Sequence, residues 1–321
     1  MLKGALVGFG NVAQFGHSPG YEASAAAEIV AVVEAAPERR AAAEKLNLSL
    51  GVFSSLTEIA PDAIDFVDIC TPPLFHAAPL ADAIARGWHA LCEKPLLLEP
   101  ALLDEIRRAA VAKNVAVVPV HNWRYAPILR SATERLRAGE IGELQRVEIV
   151  TRRKRAAAAA DESDWRRDPR IAGGGILMDH GWHSLYLTLE WFGRLPEGIR
   201  AQLVRPNDKA AENAAVLELD FGGGTARIDL SWDADERSNE MKLIGERGEI
   251  RVADDRLIAN GTSTRFEPAL SAGSHHADWF EAMLPDVLAA FREPALARPK
   301  FEEAANCLTI IRHAYATAIT L

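Results

Sequence analysis

Glu93-Lys94-Pro95 follows the apolar run Trp88-His89-Ala90-Leu91-Cys92, which reads as a buried strand. A lysine at the carboxyl end of a parallel strand stands where open α/β sheets bind their ligands. Pro95 cannot donate a backbone hydrogen bond and restrains the residue before it, so Lys94 is expected in an extended conformation. Its ammonium can hydrogen-bond a reacting oxygen and stabilise negative charge developing there. A lone lysine in such a turn is as readily a solvated one, so its meaning depends on what else the chain carries.

Gly8-Phe9-Gly10-Asn11-Val12-Ala13 directly follows the apolar run Leu2 to Val7 and opens an Ala-rich stretch. This is the dinucleotide-binding pattern with Ala in the third Gly position. The glycines permit a tight turn and close approach of a pyrophosphate, and the helix N-terminus offers unpaired N–H groups. Gly8, Phe9, Gly10, Asn11 and Val12 are therefore expected at a cofactor. Glu34, about twenty positions on at the end of the second apolar run, is the expected partner of the adenosine ribose hydroxyls. Its carboxylate would repel a 2′-phosphate, which favours NAD; Arg39 and Arg40 follow closely and keep NADP as the alternative. Thr71 and Pro72 end a further strand, and they either line the nicotinamide half of the cleft or merely stiffen a strand–helix turn. His76 either contacts the cofactor or caps the next helix.

The elements needed to position these residues can be read from periodicity. Strands at Leu2–Val7, Glu28–Val33, Gly51–Phe53, Ala63–Ile69, Trp88–Cys92 and Val115–Val120 alternate with helices at Asn11–Ala27, Pro37–Leu46, Phe75–Arg86 and Ala101–Lys113. Ser18-Pro19-Gly20 has to interrupt or end part of the first helix. Such alternation argues for a doubly wound parallel sheet. The pattern then changes to α+β. Helices are expected at Pro127–Ala138, Ile176–Trp191, Trp279–Phe291 and Glu302–Ala318, with a strand at Gln145–Arg152. Antiparallel strands are expected at Ala215–Phe221, Thr225–Trp232, Glu240–Ile244 and Glu249–Ala253. Arg153 to Asp168 has no clean period and reads as a mobile loop. The expected division is a dinucleotide-binding domain over 1–120 and a second α+β domain over 121–321, with the C-terminal helix able to return to the first.

Together, the glycine loop, Thr71-Pro72-Pro73 and Glu93-Lys94-Pro95 resemble the Gfo/Idh/MocA oxidoreductases, the family of glucose-fructose oxidoreductase and inositol dehydrogenase. Gly173-Gly174-Gly175-Ile176-Leu177-Met178-Asp179-His180-Gly181-Trp182-His183 is similar to that family's second signature, so the resemblance spans almost the whole chain. It implies a Rossmann domain followed by a domain with a large, mostly antiparallel sheet, and a hydride-transfer site built from both. It implies Lys94, Asp179 and His183 as the catalytic set, and Glu93 and Lys94 beside the cofactor. It also implies pairing through the second sheet into homodimers or homotetramers; the strands themselves show only a pattern that allows both faces to be apolar.

The spacing agrees with those roles. Asp179 and His183 are four apart and would share one helix face. A carboxylate can orient an imidazole, and histidine is suited to accept a proton near neutral pH. Either His183 or Lys94 can be that acceptor. Asp179, His180 and His183 also have the makings of a zinc site. No cysteine assists and the resemblance calls for no metal, so none is expected. His180 is read as packed or as a substrate contact. His121, Trp123, Arg124 and Tyr125 follow the sixth strand and either touch a polyhydroxylated substrate or pack; Trp165 is a further substrate candidate. Many relatives carry an acidic residue three positions after the signature histidine; Tyr186 stands there instead and marks a departure that bears on substrate. Arg152-Arg153-Lys154-Arg155 reads as a solvated run or, if it faces the cleft, as a holder of phosphate or carboxylate.

The expected activity is hydride transfer between NAD(P) and a secondary alcohol or ketone of a sugar, cyclitol or related polyol. The alternatives are an NAD-dependent glycosidase of the same fold and a non-catalytic dinucleotide sensor. A formal net charge of −9 over 321 residues argues against a nucleic-acid partner. Three scattered cysteines in apolar surroundings argue against a disulfide framework. No apolar run reaches membrane-spanning length and the chain opens on a strand, so a soluble cytoplasmic protein is expected.

Overall fold

The computed structural model describes residues 1–46, 50–154, 165–207 and 209–320. The chain divides into two compact units, Met1–Asn122 with His275–Ala305, and Trp123–Ser274 with Asn306–Leu321.

The first unit holds a six-stranded sheet built from β1 (Leu2–Val7), β2 (Ala27–Val33), β3 (Gly51–Phe53), β4 (Phe66–Ile69), β5 (His89–Cys92) and β6 (Val117–Pro119). Every pairing is parallel, and the order is β3-β2-β1-β4-β5-β6. The strands are short and apolar because helices cover both faces of such a sheet. The order reverses direction at β1, so the ends of β1 and β4 flank the crevice where doubly wound sheets bind ligands.

After β1 the chain does not form one regular helix to Ala27. Val12–His17 is a widened π-helical turn, and Ser18–Glu22 is a short α-helix with Pro19 in its first turn. Proline has no N–H for the preceding turn and its ring crowds the carbonyl four residues back, so the helix widens before it rather than stopping. The helix expected from Phe75 begins at Ala77, after a tight turn over Pro73–Phe75.

The second unit is a nine-stranded sheet of β7 (Leu144–Lys154), β8 (Gly198–Val204), β9 (Ala214–Asp220), β10 (Thr225–Ala234), β11 (Ser238–Gly245), β12 (Gly248–Ala253), β13 (Arg256–Ala259), β14 (Thr262–Arg265) and β15 (Ile319–Thr320). Its order is β14-β13-β12-β11-β7-β10-β9-β8-β15. Pairing is mostly antiparallel; β7–β10 and β8–β15 are parallel. On one face Val147, Ile149, Leu217, Ile228, Leu230, Met241 and Leu243 are buried. The helices Pro127–Arg137 and Trp182–Phe192 pack on this sheet.

The other face is not apolar, although the strand pattern allowed both faces to be so. Cross-strand pairs cover it: Arg152–Asp229, Arg227–Glu218, Lys242–Glu148 and Arg251–Glu240. Strand alternation also splits the basic run. Arg152 points to the charged face, while Arg153 points inward and is buried. Of the loop expected over Arg153 to Asp168, Arg153 and Lys154 belong to β7 and Trp165–Arg167 form a short helical turn, while residues 155–164 lie outside the described residues. Among the described residues no helix is long and apolar enough to cross a membrane, and the three cysteines are free thiols.

Candidate active site

In the first unit, the glycine loop has the geometry a dinucleotide requires. Gly8 adopts φ 88°, and a Cβ there would press on the Thr71 side chain and backbone. This glycine therefore lets the ends of β1 and β4 close together. A Cβ on Gly10 would meet no protein atom within 4 Å, so the space beside it is open to a ligand. Ala13, in the third position, is fully buried. The loop thus fits a bound dinucleotide, with Gly8 to Val12 and the turn's opening N–H groups to hold it.

Glu34 does more than the sequence suggested. Its Oε2 accepts the Phe9 N–H at 2.8 Å and its Oε1 accepts the Ala36 N–H at 2.9 Å. The carboxylate is a strut that pins the glycine loop to the end of β2, and Phe9 itself is buried. Each oxygen keeps a further lone pair for a ribose hydroxyl. Arg40 does not project as a phosphate clamp; its Nη1 donates to the carbonyls of Glu34 and Ala35. Glu34→Gln is expected to shift the NADP-to-NAD ratio of kcat/KM upward by about tenfold or more by removing a repelling charge. It should also loosen the loop, because an amide offers an N–H where a carboxylate oxygen accepted one. Paired kinetics with both cofactors and a melting curve check both halves.

His76 makes neither of the contacts considered from sequence. It is 0% exposed, so it offers no surface to a ligand, and its ring caps no helix N–H. Nε2 meets the Thr71 carbonyl at 2.7 Å and Nδ1 the Pro95 carbonyl at 3.0 Å. It staples the Thr71-Pro72 turn to the Lys94-Pro95 turn, and burial pushes its pKa down. His121 is likewise buried, paired with Glu303 at 2.7 Å. Lys94 is half-buried at the end of β5, and its backbone N–H donates to Glu93 Oε2 at 3.0 Å. Burial raises the Glu93 carboxyl, but the hydrogen bond and charge of His17, with the charge of Lys94, hold it below the ordinary range.

In the second unit, the Gly173-Gly174-Gly175 run delivers the chain into a widened turn, Leu177–Gly181, that continues as the helix Trp182–Phe192. Four residues through such a turn make about one full revolution, so Asp179 and His183 retain a common face. The glycines are explained by two residues no motif pointed to. Glu212 is buried, accepts the N–H groups of Gly175 and Leu177, and accepts the Tyr315 hydroxyl at 2.8 Å. It is an acidic cap at a helix start. A Cβ on Gly175 would overlap the Glu212 backbone, and one on Gly174 would overlap the Tyr315 phenol.

His183 is fixed on two sides. Its ring stacks on Trp123 with centroids 4.9 Å apart, and its Nδ1 lies 3.0 Å from the Tyr186 hydroxyl. That hydroxyl also accepts the Trp123 N–H at 3.0 Å. Tyr186 is completely buried, so it orients His183 and offers no face to a substrate, contrary to expectation. Arg124 lies over the Tyr186 ring and 3.5 Å from Glu190. Tyr125 is half-buried, and Trp165 opens a short turn beneath the Arg166 guanidinium.

His180 is held by Arg153, whose Nε donates to His180 Nε2 at 2.8 Å. A guanidinium only donates, so this ring nitrogen carries the lone pair and the proton sits on Nδ1, 3.0 Å from Asp179 Oδ2. That arrangement leaves His180 no basic nitrogen for a substrate. Arg153 also bonds Asn239 Oδ1 and the carbonyls of Arg152 and Ser238. Burial, then the charge of Arg237, pushes its pKa down to about 10, so it stays charged at neutral pH. It holds the His180 ring in place, and its inward direction follows the strand alternation from Val147.

A Rossmann sheet with this loop, joined in one chain to an Asp-His turn, defines a nicotinamide-dinucleotide oxidoreductase. Residues 2–121 match the profile of the oxidoreductase family with an NAD-binding Rossmann fold, and residues 129–251 match the GFO/IDH/MocA C-terminal domain. The rhizopine catabolism protein MocA of Rhizobium meliloti is 33% identical, over 75% of this chain and 70% of its own. The D-apiose dehydrogenase of Paraburkholderia graminis is 30% identical, over 82% and 71%. Among solved structures, GenD2 from gentamicin A biosynthesis, in complex with NAD, superposes with a TM-score of 0.84 at 22% identity, over 98% of this chain and 93% of that one. The chain belongs to the Gfo/Idh/MocA oxidoreductase family.

Proposed function

We propose that this enzyme oxidises a secondary alcohol of a sugar or related polyol, or reduces the corresponding ketone, with Lys94, Asp179 and His183 acting on the reacting oxygen. The observation that carries this reading is His183 itself, stacked on Trp123 and oriented by Tyr186. A rigidly held imidazole is what proton transfer in the transition state requires. Bound NAD supplies the hydride acceptor. Lys94 hydrogen-bonds the substrate oxygen and stabilises its developing negative charge. His183 takes the hydroxyl proton, and Asp179, ordered by His180 and Arg153, favours the protonated imidazole that results. The small-molecule substrate class is supported by relatives named for D-apiose and D-xylose. NAD over NADP is supported by the Glu34 carboxylate.

Incubating the protein with NAD or NADP and a panel of aldoses, inositols and sugar acids tests the reading, with NADH absorbance and thermal shift as readouts. Reduced cofactor from at least one polyol is expected, and the preferred partner should raise the melting temperature by mass action. Release of an aryl leaving group from glycosides without net NADH would instead favour the glycosidase reading.

The charged face of the second sheet supports self-association into a homodimer or homotetramer. Its ion pairs surround half-buried Val150, Val216 and Ile244, a mixture suited to a second copy of the same face. Light scattering at low and high salt would show the assembly and its dependence on those charges. Three free thiols support a reducing, cytoplasmic setting.

A further inference from the structure

Beneath the Glu93-Lys94 turn runs a chain of buried polar side chains that the reaction itself does not use. His17, at the end of the widened turn after the glycine loop, is 2% exposed, and Asp68 on β4 is 0% exposed. His17 Nδ1 lies 2.8 Å from Asp68 Oδ2, and His17 Nε2 lies 3.3 Å from Glu93 Oε1. Tyr21 donates its hydroxyl to the same Asp68 oxygen at 3.1 Å. The Lys94 N–H bonds the other Glu93 oxygen. The helix Ala277–Arg292 closes the cluster with Phe280, which stacks on the imidazole at 3.9 Å and brings no charge.

Carboxylates accept hydrogen bonds and do not donate them, so an imidazole between two of them must donate from both nitrogens. That requires the imidazolium, and the imidazolium in turn compensates two carboxylates withdrawn from water. Burial alone would push the His17 pKa down; the charge of Asp68 and the bond to it outweigh burial and hold it well above the ordinary value. Cys70 Sγ lies 3.3 Å from the same Nδ1, and His17, Asp68 and Cys70 are close enough to share a metal ion. Burial and Asp68 push the Cys70 thiol up to about 12, so it keeps its proton, and the thiol form is a poor metal ligand.

We propose that His17 is a positioning residue for hydride transfer: as an imidazolium bridging Asp68 and Glu93, it locks the Glu93-Lys94 turn to the end of β4 and so sets the place of Lys94. The proposal rests on the role given to Lys94 above. It makes the alkaline side of the pH profile a property of a residue that never touches the substrate. His17 is charged below its raised pKa, so the lock is present at neutral pH and is lost as pH rises through that value.

The test compares full-length wild type with His17→Gln and Asp68→Asn, using kcat, KM and pH profiles on D-xylose, D-apiose and myo-inositol with NAD. Gln keeps one donor toward Glu93 but carries no charge. We expect His17→Gln to lower kcat by about tenfold to a hundredfold with a smaller change in KM, and to lose the alkaline limb that the imidazolium creates. Asp68→Asn removes the main charge that raises His17 and is expected to move that limb to lower pH. The imidazole resonances of His17 in nitrogen-15 NMR give a readout that needs no turnover. They should report the imidazolium at neutral pH in wild type and titration at lower pH in Asp68→Asn. A neutral His17 ring at pH 7, or unchanged kcat and pH profile in His17→Gln, overturns the proposal. If no sugar is turned over by wild type, the functional reading fails separately, while NMR still decides whether His17 bridges. If His17→Gln does not fold, Asp68→Asn and the wild-type resonances decide it.

Discussion

Lys94→Met is expected to lower kcat/KM for polyol oxidation by about a thousandfold, or about 4 kcal/mol of transition-state stabilisation, while NAD still binds. The methionine keeps the length and the apolar stem of lysine but removes its donors and charge. What is lost is the interaction with the oxygen as negative charge grows on it, so kcat should carry the change and substrate KM should move little. The fold should survive, because Glu93 keeps its bond to His17 and the Lys94 N–H keeps its bond to Glu93. Steady-state kinetics, with the NAD-induced thermal shift as the control for binding, check this. Near wild-type turnover in the variant would remove Lys94 from the chemistry.

The second large effect concerns stability. Gly175→Ala should destabilise the second unit by about 3 kcal/mol or more, because the new methyl group meets the backbone of Glu212 and not a movable side chain. A drop of roughly 6 to 12 °C in melting temperature is the corresponding signal. The same methyl group would part Gly175 from the Glu212 carboxylate, which accepts its N–H, and so uncap the turn that carries Asp179 and His183. Activity should therefore fall even at temperatures where the variant remains folded. Differential scanning calorimetry beside kinetics at low temperature separates the two losses. A melting temperature like that of wild type would show that the segment shifts as a body to make room. Gly174→Ala should be milder, since it meets the end of the Tyr315 side chain.

The first unit could be read from sequence because its requirements are local. A glycine with positive φ, a short apolar strand before it and an acid after the next strand are all set within one βαβ segment. Pro19 marks the interruption of the first helix in the sequence, but the response of the chain, widening before the proline, depends on packing. The supports of the second unit were hidden for the opposite reason. Glu212 and Tyr315 lie far along the chain from the glycines they explain, and a lone Glu or Tyr carries no periodic mark. Asp68 sits inside a strand of apolar residues, where His17 and the Tyr21 hydroxyl satisfy its carboxylate. Arg153 shares the inward parity of Val147 and Ile149. Tyr186 lies one helical turn beyond His183, close enough to orient it and too deep to meet a ligand.

The two bonds that Glu34 makes to the backbone have a consequence for how cofactor choice can change over time. The charge that would discriminate between cofactors and the strut that holds the loop are one side chain. No single replacement can surrender the first and keep the second, since every neutral substitute leaves the Phe9 or Ala36 N–H short of an acceptor. A lineage moving toward the phosphorylated cofactor would have to rebuild the support of the loop in the same interval, or pass through a less stable ancestor. Coenzyme preference in this chain is therefore buffered by architecture, and a laboratory attempt to reverse it should begin by selecting a second mutation that bonds the Phe9 N–H.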